Sequence, residues 1–149
     1  MSQSYQHILV AIDESPISYA AVEQAKCLAK DLHAKLTIMS VIAVDPFVGV
    51  DFYKVAPAIT EYFMQAESHA QSRLNEIQAN LARENLSVQV KLIRGVPPSE
   101  GIIHVADEVG ADLIMMGSHG RTGLQKLMLG SVAQNVLTQS PIPVLIVKA

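Results

Sequence analysis

The chain has 149 residues, half of them apolar and 17% charged, a makeup that fits one globular domain and excludes disordered and fibrous classes. A net charge of -3 without a basic stripe argues against nucleic acid as a partner. The longest apolar run, Ile8 to Ile12, is five residues long and Met1 to Gln6 carries no basic residue, whereas a bilayer span needs about 20 apolar residues and a secretory leader a basic start, so a cytoplasmic protein without membrane insertion is expected.

Residues His7 to Ile12 read as a buried strand, too short for a helix and closed by turn-forming residues. Ser15-Pro16 signals a helix start with a capping hydroxyl, and Ala21, Ala25, Leu28, Ala29 and Leu32 follow at helical spacing. Cys27 falls near that apolar side and reads as a core residue; with one cysteine and no Cys/His cluster, neither an internal disulfide nor a structural zinc site is expected. Lys35 to Val44 returns to an extended pattern. Pro46 and Pro57 bracket a connector, and Phe47, Phe52, Tyr53, Tyr62 and Phe63 place most of the chain's aromatics between 47 and 63. From Thr60, Phe63, Ala66, Ala70, Leu74, Ile77 and Leu81 mark a long amphipathic helix that ends near Asn85.

Val88 to Arg94 reads as a third strand, stopped by Gly95-Val96-Pro97-Pro98. Ser99 is expected to cap a helix ending at Gly110, Leu113 to Met116 forms a fourth strand, a helix runs from about Ser131 to Gln139, and Pro143 to Val147 is a fifth strand. His7, His33, His69 and His104 lack ligand spacing and read as structural or surface residues, and Met39, Met115, Met116 and Met128 as core. Strands separated by helices imply right-handed crossovers and a parallel sheet, so the fold class is α/β, a single doubly wound, Rossmann-like sandwich of five strands. Ligands of such sheets bind beyond the carboxyl ends of the strands, where the winding reverses.

Gly117-Ser118-His119-Gly120-Arg121-Thr122-Gly123 leaves the fourth strand, and Gly130-Ser131 opens the next helix. Glycines let backbone N–H groups at 117 to 123 approach phosphate oxygens, and a helix start offers unpaired N–H groups and the positive end of its dipole. His119 and Arg121 add charge. The glycines follow neither the P-loop pattern nor the dinucleotide fingerprint, since GxxxxGK[ST] is absent and GxxGxxG follows strand four rather than strand one.

Gly117-x-x-Gly120, nine residues, then Gly130-Ser131 resembles the G-2x-G-9x-G-(S/T) signature of the ATP-binding universal stress proteins. Ile8 to Ser15 is similar to that family's first strand and Asp-x-Ser turn, and Pro143 to Val147 to its last strand, so the resemblance spans essentially the whole chain, 1–149. It implies an adenine nucleotide alpha hydrolase-like fold with strand order 3-2-1-4-5 and ATP, AMP or ADP as ligand. The Val41 backbone would read the adenine edge, Ala11 would line the same pocket, and Asp13 would meet the ribose or a phosphate-bound Mg²⁺. Gly117, Ser118, His119, Gly120, Arg121, Thr122 and Gly123 would embrace the phosphates, closed by Gly130, Ser131, Val132 and Ala133. Ala133 departs from relatives with a hydroxyl there.

The function expected is an ATP-binding stress-response regulator with at most slow hydrolysis, because Asp13 is the one base that can be named. The rivals are a slow ATPase or adenylyl-transferring enzyme, a flavodoxin-like flavin carrier and a nucleotide-free interaction module. Related adenylating folds carry an SGGxDS-like loop where this chain has Asp13-Glu14-Ser15-Pro16, which argues against efficient adenylation. The apolar last strand, at a sheet edge, implies a homodimer through residues 143 to 147.

Overall fold

A computed structural model describes residues 4–42, 57–119 and 129–148, with the side chains of residues 57–60, 62 and 63 outside the description. Its elements are β1 (His7–Ile12), α1 (Pro16–Leu32), β2 (Lys35–Ile42), α2 (Pro57–Ala82), β3 (Val88–Arg94), α3 (Pro98–Val109), β4 (Leu113–Gly117), α4 (Ser131–Gln139) and β5 (Val144–Val147). All four pairings are parallel and the order is β3-β2-β1-β4-β5, as expected for strands joined by crossovers.

Successive residues of a strand face opposite ways, which divides β1 between two cores. Ile8, Val10 and Ile12 enter one, with Ala21 and Ala25 of α1 and Leu74, Ile77 and Leu81 of α2. Leu9 and Ala11 enter the other, with Met39 of β2, Met116 of β4, Ile102, Val105 and Ala106 of α3, and Ala133 and Val136 of α4. Sandwiched from both sides, β1 is an unbroken apolar run rather than an alternating one. Met39, Met115 and Met116 are buried as expected, while Met128 lies outside the described residues.

The two edges of the sheet differ. At the amino edge the Asp112 carboxylate accepts from the Gln6 and His7 amides at 2.9 and 3.0 Å, and Asp112 returns its own N–H to the His7 carbonyl. The protein's own groups seal that edge. At the carboxyl edge β1 and β4 lie side by side, with Ala11 opposite Met116, while their chains wind away in opposite directions.

Some sequence expectations shift. Cys27 is exposed, because it lies two residues from both Ala25 and Ala29 and so falls opposite the buried stripe of α1. Ser99 caps nothing: Pro97 is the N-cap of α3, Pro98 takes the first helical position, and Ser99 is buried in the first turn. Helix α2 begins at Pro57 and ends at Ala82, and residues 83–85 form a turn with Asn85 at φ 65°. Strand β4 extends to Gly117, and β5 starts at Val144, Pro143 contributing only its carbonyl, to the Ile114 amide. The connector 43–56 lies outside the described residues.

Candidate functional site

Two helix starts meet the carboxyl edge. At the first, β1 ends in an Asx turn at Asp13. Asp13 Oδ1 accepts from the Ser15 amide at 2.8 Å, from the Ser15 hydroxyl, and from the Ser18 hydroxyl at 2.9 Å. The Asp13 amide donates back to Ser18 Oγ at 2.9 Å. Ser15 therefore holds the N-cap position of α1 without capping it by its side chain: its hydroxyl is spent on the carboxylate, which itself answers the positive end of the helix. Ser18 belongs to this arrangement as much as Ser15, and the spacing Asp-x-Ser-x-x-Ser was its readable signal.

The second start is that of α4. Gly130 is the N-cap, no side chain caps the helix, and its first turn has no acidic residue. The Gln134 amide closes the first helical bond, onto the Gly130 carbonyl at 2.9 Å. Among the described residues no acceptor outside the helix takes the N–H groups of Ser131, Val132 or Ala133. Such a start has unpaired donors and positive potential and suits an anion.

The segment between β4 and α4 is pinned where it leaves and returns. The Ser118 amide donates to the Val147 carbonyl at 2.9 Å, and the Gly130 amide donates to the Ser118 carbonyl at 2.7 Å. These two N–H groups are thus committed within the protein, contrary to the expectation that the backbone at both places is open to phosphate. The open donors sit at 131 to 133. Ser118 Oγ and His119 Nδ1 are 3.1 Å apart, a hydrogen-bonded pair beside the same edge. Gly120, Arg121, Thr122 and Gly123 lie outside the described residues.

Gly117 has a packing reason to be glycine. A Cβ there would fall 2.7 Å from Ile17 Cγ2, in the first turn of α1, so with any larger residue Ile17 or α1 would have to shift away from the end of β4. Val41 stands at the end of β2, opposite Ile93 of β3, and its Cγ2 lies 3.0 Å from where a Cβ on Gly101 would stand. Ala11, buried at 8% exposure, lies between Met39 and Met116 on adjoining strands. The fold brings the described candidate residues to one edge: Ala11 and Asp13 from β1, Val41 from β2, Gly117 to His119 from β4 and Gly130 to Ala133 from α4. Among the described residues, no group of three or more His, Cys, Asp or Glu could hold a metal ion directly.

Sequence reasoning missed Arg73. From α2 its Nη1 donates to the Asp13 carbonyl, a contact across 60 positions that no local pattern announces.

The chain is similar to several universal stress proteins. Universal stress protein MJ0531 of Methanocaldococcus jannaschii is 33% identical over 144 residues, covering 97% of this chain and 82% of that protein. The structure of MJ0577, from the same organism, superposes with a TM-score of 0.84 at 29% identity, covering 99% of this chain and 98% of that one. A universal stress protein solved in complex with cAMP gives a TM-score of 0.66 at 26% identity, covering 98% of each chain. The family model of the universal stress proteins matches residues 4–148, and with the sheet order this establishes that the chain belongs to the universal stress protein family.

Proposed function

We propose that this chain is a cytoplasmic ATP-binding regulator whose nucleotide lies across the carboxyl edge, between the ends of β1 and β2 and the start of α4. The observation that carries this reading is the uncapped α4 start, with the N–H groups of Ser131, Val132 and Ala133 unclaimed among the described residues and no acid in the first turn. Those donors would take phosphate oxygens. The relative solved with cAMP supports an adenine nucleotide as ligand.

Each residue then has a place. The Val41 main chain reads the adenine edge and Ala11 floors the pocket. Asp13 faces the ribose or a Mg²⁺ carried in by the phosphates, through Oδ2, to which no described residue donates. Gly117, Ser118 and His119 flank the phosphates from β4, with Gly120, Arg121, Thr122 and Gly123 beyond them. Because Ser118 spends its amide on the Val147 carbonyl and Gly130 spends its own on the Ser118 carbonyl, they shape the rim, and the α4 turn does the gripping.

Binding is the output, and hydrolysis is at most slow: Asp13, the base that the sequence names, has Oδ1 occupied by three protein donors. A ligand held only by the folded state stabilises it by mass action. The edge strand β5 pairs with its copy to form a homodimer through residues 143–147, which light scattering at micromolar concentration reads as twice the chain mass.

The test is calorimetric titration of purified protein with ATP, ADP, AMP and cAMP, beside mass spectrometry of the small molecules released on denaturation. Saturable binding of an adenine nucleotide is expected. No heat from any of the four and no released nucleotide would overturn the reading.

A further inference from the structure

Away from the phosphate side of the edge, one side chain breaks the rules of its surroundings. Arg73, in the middle of α2, reaches the end of β1, where Nη1 donates to the Asp13 carbonyl. Its guanidinium carbon lies 4.4 Å from the centre of the Tyr19 ring of α1, within cation–π range. Nε and Nη2 are buried, and among the described residues neither has an acceptor. Burying unpartnered N–H groups of a cation opposes folding. An apolar side chain of the same length would serve the packing of α1 against α2 better, so stability alone does not account for an arginine here. What only a donor can supply is the bond to one carbonyl, and that carbonyl belongs to the residue whose carboxylate Ser15 and Ser18 already hold.

We propose that Arg73 is a positioning residue for Asp13. Gripped at its carbonyl from α2 and at Oδ1 from α1, Asp13 has its main chain and side chain fixed, and its second carboxylate oxygen keeps a single orientation. A ligand meeting that oxygen need not order the side chain first, and orderings of this kind are worth about three- to tenfold in affinity. The ligand side of the proposal rests on the nucleotide reading above, whereas the fixing of the turn does not.

The experiment compares the full chain with R73M, which keeps the length and loses the donor, and R73K, which restores one. Three quantities are read: thermal midpoint, amide hydrogen exchange at Asp13 and Ser15 without nucleotide, and ATP affinity by calorimetry. R73M is expected to melt at or above the wild-type midpoint, to exchange faster at Asp13 and Ser15 but not along the rest of α1, and to bind ATP about three- to tenfold more weakly. R73K is expected to recover both local exchange and affinity.

Unchanged exchange at Asp13 and Ser15 in R73M overturns the proposal, as does unchanged ATP affinity in a wild type that binds. A lowered midpoint with faster exchange spread over both helices marks Arg73 as a packing residue and also overturns it. If the wild type binds no ATP, the nucleotide reading fails, and the exchange comparison alone decides the role of Arg73. Should R73M not fold, Y19L, which removes the platform under the guanidinium at a half-exposed position, takes its place with the same readouts.

Discussion

Helices α1 and α4 begin at the same edge of the same sheet, and the protein treats them in opposite ways. Before α1 the protein supplies its own charge: the Asp13 carboxylate takes three hydrogen bonds, from the Ser15 amide and the Ser15 and Ser18 hydroxyls, and Ser18 closes the loop by accepting from the Asp13 amide, although no side chain caps the helix itself. The start of α4 has a glycine cap, no side-chain partner and no acid. An unanswered helix start costs stability that a single Ser, Asp or Asn would recover. The nucleotide reading puts the phosphates at this uncapped start of α4, and the contrast with α1 makes that reading testable.

This contrast can be broken by giving α4 what α1 has. S131D places a carboxylate in the first turn of α4; stability should rise by about 0.5 kcal/mol through the helix dipole, while ATP affinity should fall about 100-fold by occupancy and like-charge repulsion. Calorimetry and a urea melt read both, and undiminished affinity would show that the phosphates lie elsewhere. The converse change empties the closed start. D13A should cost about 2–3 kcal/mol in urea denaturation, the scale of hydrogen bonds to a charged acceptor, and D13N, which keeps an acceptor oxygen, should lose less.

G117A probes how the two starts are kept apart, since its methyl would meet Ile17 of α1. A loss of about 1–3 kcal/mol is expected, with I17A partly relieving it in a double-mutant cycle; strict additivity would mean that the close approach is not the reason for glycine.

The smallest effect serves as a control from the opposite edge. Burial, and next the Lys35 charge, hold the His7 imidazole below its ordinary value of 6.5, with Asp112 opposing. The folded state prefers neutral His7, so its contribution is complete above pH 6.5 and is lost as pH falls from there through the lower folded value. Thermal midpoints of wild type minus H7Q, taken from pH 7.5 to 5, should shrink as the solution is acidified, with no matching change in the contrast between the two helix starts.

Most of the architecture was legible because it is written in short-range patterns. The run Ile8–Ile12, the long stripe through Leu74, Ile77 and Leu81, and the alternation Val88, Val90, Leu92 each report burial directly. Element ends were less legible: two prolines in a row moved the α3 cap from Ser99 to Pro97, and Cys27 misled because a small residue near an apolar stripe does not reveal its side of the helix.

At the candidate site, the glycine spacing pointed to the carboxyl edge but not to which amides are paired within the protein. That is fixed by partners distant in the chain, Val147 for Ser118 and Ser118 for Gly130. Gly117 likewise read as a place for phosphate to approach, while its tightest neighbour is Ile17. Arg73 left no trace in the sequence because its meaning depends on the turn of another element.

Ser118 gives its amide to the outermost strand and its carbonyl to the residue that launches α4. One residue, through the two peptide groups that flank it, thus works as a hinge pin joining the margin of the sheet to the start of α4 beside it. A ligand gripped at the start of α4, as the nucleotide reading has it, would therefore also brace β5, whose far side has no neighbouring strand among the described residues, and the stiffness of that outer rim would be a remote gauge of occupancy.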